Sequence, residues 1–255
     1  MPLPLLAVLV LLAVAAALGA TWLPRIPQDP AYHGFADGRP LLGIPHALNV
    51  LSNLPIALAG VFGALRLRRL AVPAQAMPGA VLCAAAVLVT AASCWYHLAP
   101  STAGLALDRL PMAAGFMALL VLVIGDRVSA RAARLALWPL VAVGIASVVY
   151  WYWSETAGRG DLRPYAVAQF VPLLLIPMLL LTTPPASLRA WWLWGTLASY
   201  ALAKVTEFLD WPIYQITGDL ISGHSLKHLF AALAVLCAML ALPVRDVSGS
   251  SPPRR

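Results

Sequence analysis

Charge is what this 255-residue chain has least of: Asp, Glu, Lys and Arg make up 11% of it, against 61% hydrophobic residues. With a mean hydropathy of +0.83, so little charge excludes an ordinary soluble domain, in which about a quarter of residues are charged. Cysteine is scarce as well. Cys83, Cys94 and Cys237 lie inside apolar runs without paired spacing, so no disulfide framework is implied and they read as small packing residues. The net charge of +7 does not point to nucleic acid, because the arginines fall in short loops between apolar runs. That placement is a mark of membrane topology.

What the chain does have is long apolar runs from end to end. A bilayer core of ~30 Å needs roughly 20 apolar residues of helix to cross it, and runs of about that length account for most of the sequence. The expected fold is therefore all-α, a polytopic transmembrane bundle of seven core helices with one extra N-terminal hydrophobic helix. Residues 1–22 form the extra helix, which lacks a basic flank. It reads as an uncleaved anchor, with a signal peptide as the alternative, given the small residues Ala17, Gly19 and Ala20. Residues 23–45, rich in proline and glycine, read as an extracytoplasmic loop. The core domain spans 46–243, with helices expected at 46–65, 77–97, 108–125, 135–153, 164–182, 190–209 and 223–243. Residues 244–255 read as a disordered cytoplasmic tail.

Arginines set the orientation. Arg66, Arg68, Arg69, Arg127, Arg131, Arg134, Arg189, Arg245, Arg254 and Arg255 fall on one side. Arg25, Arg39, Arg109, Arg159 and Arg163 fall on the other. Ten against five places the first set, and the C-terminus, in the cytoplasm. The excess of arginine over lysine and the abundance of alanine fit a GC-rich bacterial gene, hence a bacterial inner membrane.

With this topology the polar residues of the helices gather at one, extracytoplasmic, end: Asn49, Ser52 and Asn53, Ser93 and His97, Asp108, Glu207 and Asp210, His224 and His228. Ionisable groups within a spanning helix are costly and mark a functional site by default. His224 and His228 are four apart and share a helix face. With His97 they make three neutral donors of the kind that hold a catalytic zinc and leave one position for water. A carboxylate within reach can take the water's proton, and a hydroxyl can steady an oxyanion; Asp108 and Ser93 have those chemistries. Each element alone has a plain structural reading. The histidines could cap a helix entrance, Ser93 could pack, and Asp108 could pair with Arg109 or with the helix dipole. Convergence at one end raises the set above its members.

Four motifs carry a resemblance: Asn49-x-x-Ser52-Asn53, Ser93-x-x-x-His97, Leu107-Asp108-Arg109-Leu110-Pro111-Met112 and His224-x-x-x-His228. In order and placement at helix ends they resemble the alkaline ceramidase family. That family is part of a wider group of seven-helix membrane hydrolases that includes the adiponectin and progestin receptor relatives. The resemblance implies a zinc-dependent amidohydrolase cleaving ceramide or phytoceramide to a sphingoid base and a fatty acid. His97, His224 and His228 would be the zinc ligands, Asp108 the proton acceptor, and Ser93 would polarise water or steady the oxyanion. Asn49, Ser52 and Asn53 would support the ligands, or merely pack helices. The sequence departs from the family in two places. The stretch from Tyr32 to His46 offers only Asp37 where eukaryotic members have an acidic calcium site, so a calcium site is expected to be absent or degenerate. Lys227 stands where a bulky apolar residue is expected, and is read as pointing away to the interface or a headgroup.

Other residues invite rival readings. Lys204 and Glu207 read as a buried ion pair; alternatively Glu207 or Asp210 accepts the second ring proton of a zinc-bound histidine. Tyr150-Trp151-Tyr152-Trp153 and Trp191-Trp192-x-Trp194 read as interfacial belts, His33 and His46 as solvated. The expected partner is a membrane lipid carrying an N-acyl group; oligomeric state is left open. The main rival class is a receptor or lipid-binding protein with a structural zinc and no turnover, which would need neither Asp108 nor Ser93. A transporter lacks a polar track to the other face, and a haem pair is distinguishable by absorption.

Overall fold

The computed structural model describes residues 11, 12, 14, 15 and 18–245. Of the leading run 1–22, the described residues are helical, and the tail from 246 onward lies outside the described residues. Nine α-helices follow among the described residues. They are α1 (Ala47–Leu51), α2 (Leu54–Leu67), α3 (Ala76–Leu98), α4 (Thr102–Arg127), α5 (Ala130–Thr156), α6 (Arg163–Thr182), α7 (Ala190–Phe208), α8 (Asp210–Ile216) and α9 (Gly223–Ala241). Among the described residues the only extended pairings are the isolated bridges Leu41–Ile44 and Leu70–Val244.

Among the described residues six segments are long and apolar enough to cross a membrane: α1 with α2, then α3, α4, α5, α6 and α9. Helix α7 is as long as α9, but Trp191, Trp192, Trp194, Tyr200, Lys204 and Glu207 lower its hydropathy. Large apolar side chains such as Leu58, Leu135, Leu174 and Leu181 face outward, as lipid-facing residues do.

Local chemistry explains where the helices differ from the expected spans. The first span is broken at Ser52–Asn53, because Pro55 has no N–H to donate to the preceding turn. Helix α4 starts six residues before the expected point, since Ser101 caps it by accepting from Gly104 N at 3.1 Å. Asp108 therefore sits in the second turn of the helix. The short α8 continues the chain beyond α7 where a loop was expected.

Sequential helices pack side by side from α2 to α6, and α9 closes the bundle by packing against both α2 and α7. Packing within lipid relies on close approach of backbones. At Gly144 of α5 a Cβ would lie 3.0 Å from Ala113 O of α4. One buried cluster, including Ile176, Leu179, Leu193 and Met239, fills the end near the Leu70–Val244 bridge. A second, with Phe35, Tyr96, Leu105, Trp151 and Tyr165, fills the other end.

The proline- and glycine-rich segment 23–45 folds over that second end and is held there by hydrogen bonds. Leu162 N donates to Ile26 O (2.8 Å), Gln28 N to Glu155 Oε2 (3.0 Å), and Ala36 N to Asp210 Oδ2 (3.0 Å). Asp37 is buried and accepts from Arg39 through both carboxylate oxygens, at 2.9 and 2.8 Å. Burial raises its pKa, but the bonds from Arg39 outweigh this and hold it below the usual carboxylate value.

Candidate metal centre

Three imidazoles meet beneath this segment. His97 stands in the last turn of α3, and His224 and His228 in the first two turns of α9. Their ring centroids are 4.9, 5.0 and 4.9 Å apart. One ligand atom from each lies within 4.8 Å of the other two. All three are buried, with 1%, 4% and 3% exposure. A buried ring nitrogen with no partner is an uncompensated cost. His97 Nδ1 and His224 Nε2 are both in that state, and a metal ion among the three rings would relieve it. The donor set fits a divalent ion such as zinc.

The entrance of α9 is built to present these rings. Ser222 caps the helix by accepting from Ser225 N at 3.1 Å. Asp210, at the start of α8, accepts from His224 N at 2.7 Å through Oδ1 while Oδ2 holds Ala36. Gly223 permits the approach: a Cβ there would collide with Thr206 O and lie 2.8 Å from Asp210 Cα.

The opening motif supports His228 through a relay. Ser52 Oγ is 2.8 Å from His228 Nδ1 and donates to Asn49 O at 3.3 Å. A Ser52 hydroxyl that donates to Asn49 O would accept from Nδ1–H and leave Nε2 free as a ligand. Asn49 Oδ1 accepts from Ser225 Oγ (2.8 Å) and Ser222 Oγ (3.3 Å), tying α1 to α9. Asn53 donates to Asn49 O at 2.8 Å and reaches the rings only through Asn49.

Asp108 is buried with Oδ1 lacking any partner, and its carboxyl stands outside the three-histidine cluster. Ser93, one turn before His97, neighbours Asp108, although no well-formed hydrogen bond joins them. Oδ1 of Asp108 is thus left uncommitted.

Glu207 and Asp210 are not bonded to an imidazole ring. Glu207 Oε1 pairs with Lys227 Nζ (2.8 Å) and accepts from Tyr32 OH (2.8 Å), while Oε2 pairs with Lys204. Asp210 acts on the His224 backbone instead. Lys227 does not reach outward: its side chain is 15% exposed and turned to Glu207, because an ammonium inside the bundle is held by the nearest carboxylate. Arg109 is not a loop arginine either. It is 7% exposed, with its guanidinium carbon 4.2 Å from the Trp151 ring centroid and 4.9 Å from that of Tyr165. Trp151 accordingly leaves the expected interfacial belt and is fully buried.

His33 and His46 are half-buried. His33 Nδ1 lies 2.9 Å from Tyr96 OH, and burial together with the Arg109 charge lowers its pKa. Phe35 escaped the sequence reading altogether. Its ring centroid lies 4.6 Å from both His97 and His224, and it covers the triad from above. An aromatic residue in an aperiodic loop gives no signal of this. Lys227 did give one, being three residues from His224 and so on the same helix face.

Comparison of the sequence with models of known protein families and with curated proteins returns no match.

Proposed function

We propose that the chain is an integral membrane, zinc-dependent hydrolase of lipid amides, with ceramide or phytoceramide as the substrate implied by its resemblance to the alkaline ceramidases. The observation that carries this reading is the buried triad, with two ring nitrogens lacking partners, together with a buried Asp108 carboxyl whose Oδ1 also lacks one. A ligand set built only for structure needs no such carboxyl.

His97, His224 and His228 hold the ion in this reading. When bound, such an ion supplies the positive charge that acidifies water to a pKa of ~7 and polarises a carbonyl. Asp108 Oδ1 takes the proton of the attacking water and returns it to the leaving amine. Ser93 donates a hydrogen bond to the oxygen that becomes negative at the acyl carbon. Ser52 and Asn49 keep His228 in one tautomer, and Phe35 keeps bulk water off the rings.

Helix α7 completes seven core helices in this account, with the leading apolar run as an eighth. The triad end faces the extracytoplasmic side of a bacterial inner membrane and the C-terminus lies in the cytoplasm, as the arginine distribution favours. The acyl chain enters from the bilayer. An apolar cavity of ≈130 Å³ inside the bundle, lined among others by Leu82, Phe116 and Val235, is of the right character to receive it.

Incubation of the purified protein with a panel of N-acyl lipids, with fatty acid release read by mass spectrometry, tests the reading. Release that disappears with a chelator and in Asp108→Asn is expected. Metal-loaded protein that cleaves no N-acyl lipid would instead support a receptor or binding protein.

A further inference from the structure

Beside Asp108 lies a second cavity of ≈120 Å³, lined by Arg109, Tyr165, Gln169, Glu207 and Lys227 among others. Arg109, Lys204 and Lys227 bring three positive charges to it, against the carboxylates of Asp108 and Glu207. Glu207 is occupied by the two lysines. Arg109 has no carboxylate partner among the described residues, and its buried NH1 makes no hydrogen bond. Tyr32, Trp151 and Tyr165 engage the guanidinium through their ring faces. That leaves NH1 unfilled, on a guanidinium whose in-plane fork of donors matches a carboxylate.

The cationic cavity adjoins the apolar one. Met112, Tyr200 and Ala231 line both. An amphiphile with a hydrocarbon chain and one anionic group would satisfy both surfaces, whereas the hydroxyls of a neutral sphingoid headgroup would leave Arg109 without a counter-ion.

We infer that this cavity is a carboxylate-binding subsite centred on Arg109, and that the preferred substrates are lipid amides whose amine half carries a carboxylate, the N-acyl amino acids. The substrate half rests on the hydrolase reading above; carboxylate binding itself does not. The same chemistry has a second source, the carboxylate of a released fatty acid.

The test uses full-length protein in detergent, with tryptophan emission as the signal, since Arg109 stacks on Trp151; Trp151→Phe identifies that contribution. N-dodecanoylglycine is titrated against its neutral counterpart N-dodecanoylethanolamine, and dodecanoate against dodecanol. The glycine conjugate is expected to bind about tenfold tighter or more, the scale of one charge-assisted hydrogen bond. The preference persists in His224→Ala, persists at least in part in Arg109→Lys, and vanishes in Arg109→Gln. Equal affinity of charged and neutral partners in the unsubstituted protein overturns the subsite without any variant. Turnover separates the sources. A kcat/KM for the glycine conjugate about tenfold above that for the ethanolamide supports the substrate assignment. Equal turnover, with dodecanoate alone preferred over its alcohol, overturns that assignment and makes the subsite one for product. Carboxylate preference without cleavage of any amide keeps the subsite and removes the hydrolase reading.

Discussion

Ser52 Oγ sits 2.8 Å from His228 Nδ1 and donates a hydrogen bond to Asn49 O at 3.3 Å. A serine in the break between α1 and α2 is thus the ring partner of a histidine 176 positions away. Outer-sphere partners of this kind are worth about 10–100-fold in metal affinity. Ser52→Ala is expected to weaken zinc binding by roughly that factor, as measured by competition with a chromogenic chelator, while Ser52→Thr retains most of the affinity.

The Phe35 ring, carried by the 23–45 segment, has its centroid 4.6 Å from those of two of the three imidazoles. Phe35→Ala should let a chelator strip the ion about tenfold faster, because the apolar shell controls solvent access. Stopped-flow release in Phe35→Ala and Phe35→Leu checks this, with Leu restoring most of the protection.

Lys227 and Glu207 form an ion pair inside the bundle, 15% and 10% exposed. Lys227→Met should cost about 3 kcal/mol by leaving Glu207 with one cation fewer, and Lys227→Met with Glu207→Gln should recover much of that. Thermal unfolding of the four-member cycle measures the coupling.

The Asp37–Arg39 pair gives acid sensitivity a definite sign. Arg39 holds the Asp37 pKa below its unfolded value of ~3.9. A depressed folded pKa contributes stability that is fully present above the unfolded value and lost as pH falls through the folded one. Proteolysis of the 23–45 segment should therefore accelerate as pH drops below about 4, using an acid-active protease. Asp37→Asn should be cleaved faster at neutral pH and show a shallower acid response.

The membrane class and most helices were legible because apolar runs of spanning length need no tertiary knowledge. So was the triad, since His224 and His228 share a face by spacing and His97 ends an apolar run. What escaped depends on packing between distant segments. Phe35 is placed by hydrogen bonds from residues far along the chain. Trp151 has the sequence context of an interfacial aromatic, but the helix turns it onto Arg109. Lys227 was read as reaching outward because the sequence does not show that Glu207, on another helix, lies within 2.8 Å. Ser101 was a cap signal in plain view; the small residues after it disguised the first turns of α4.

The most direct measurement is the metal content of protein purified without added metal, by elemental analysis, for the unsubstituted chain and for His97→Ala, His224→Ala and His228→Ala. One zinc per chain, lost in each variant that still folds as a helical bundle by circular dichroism, is the expected result. Protein free of transition metal that retains full lipid-amide turnover, or zinc content unchanged by all three substitutions, would contradict the account.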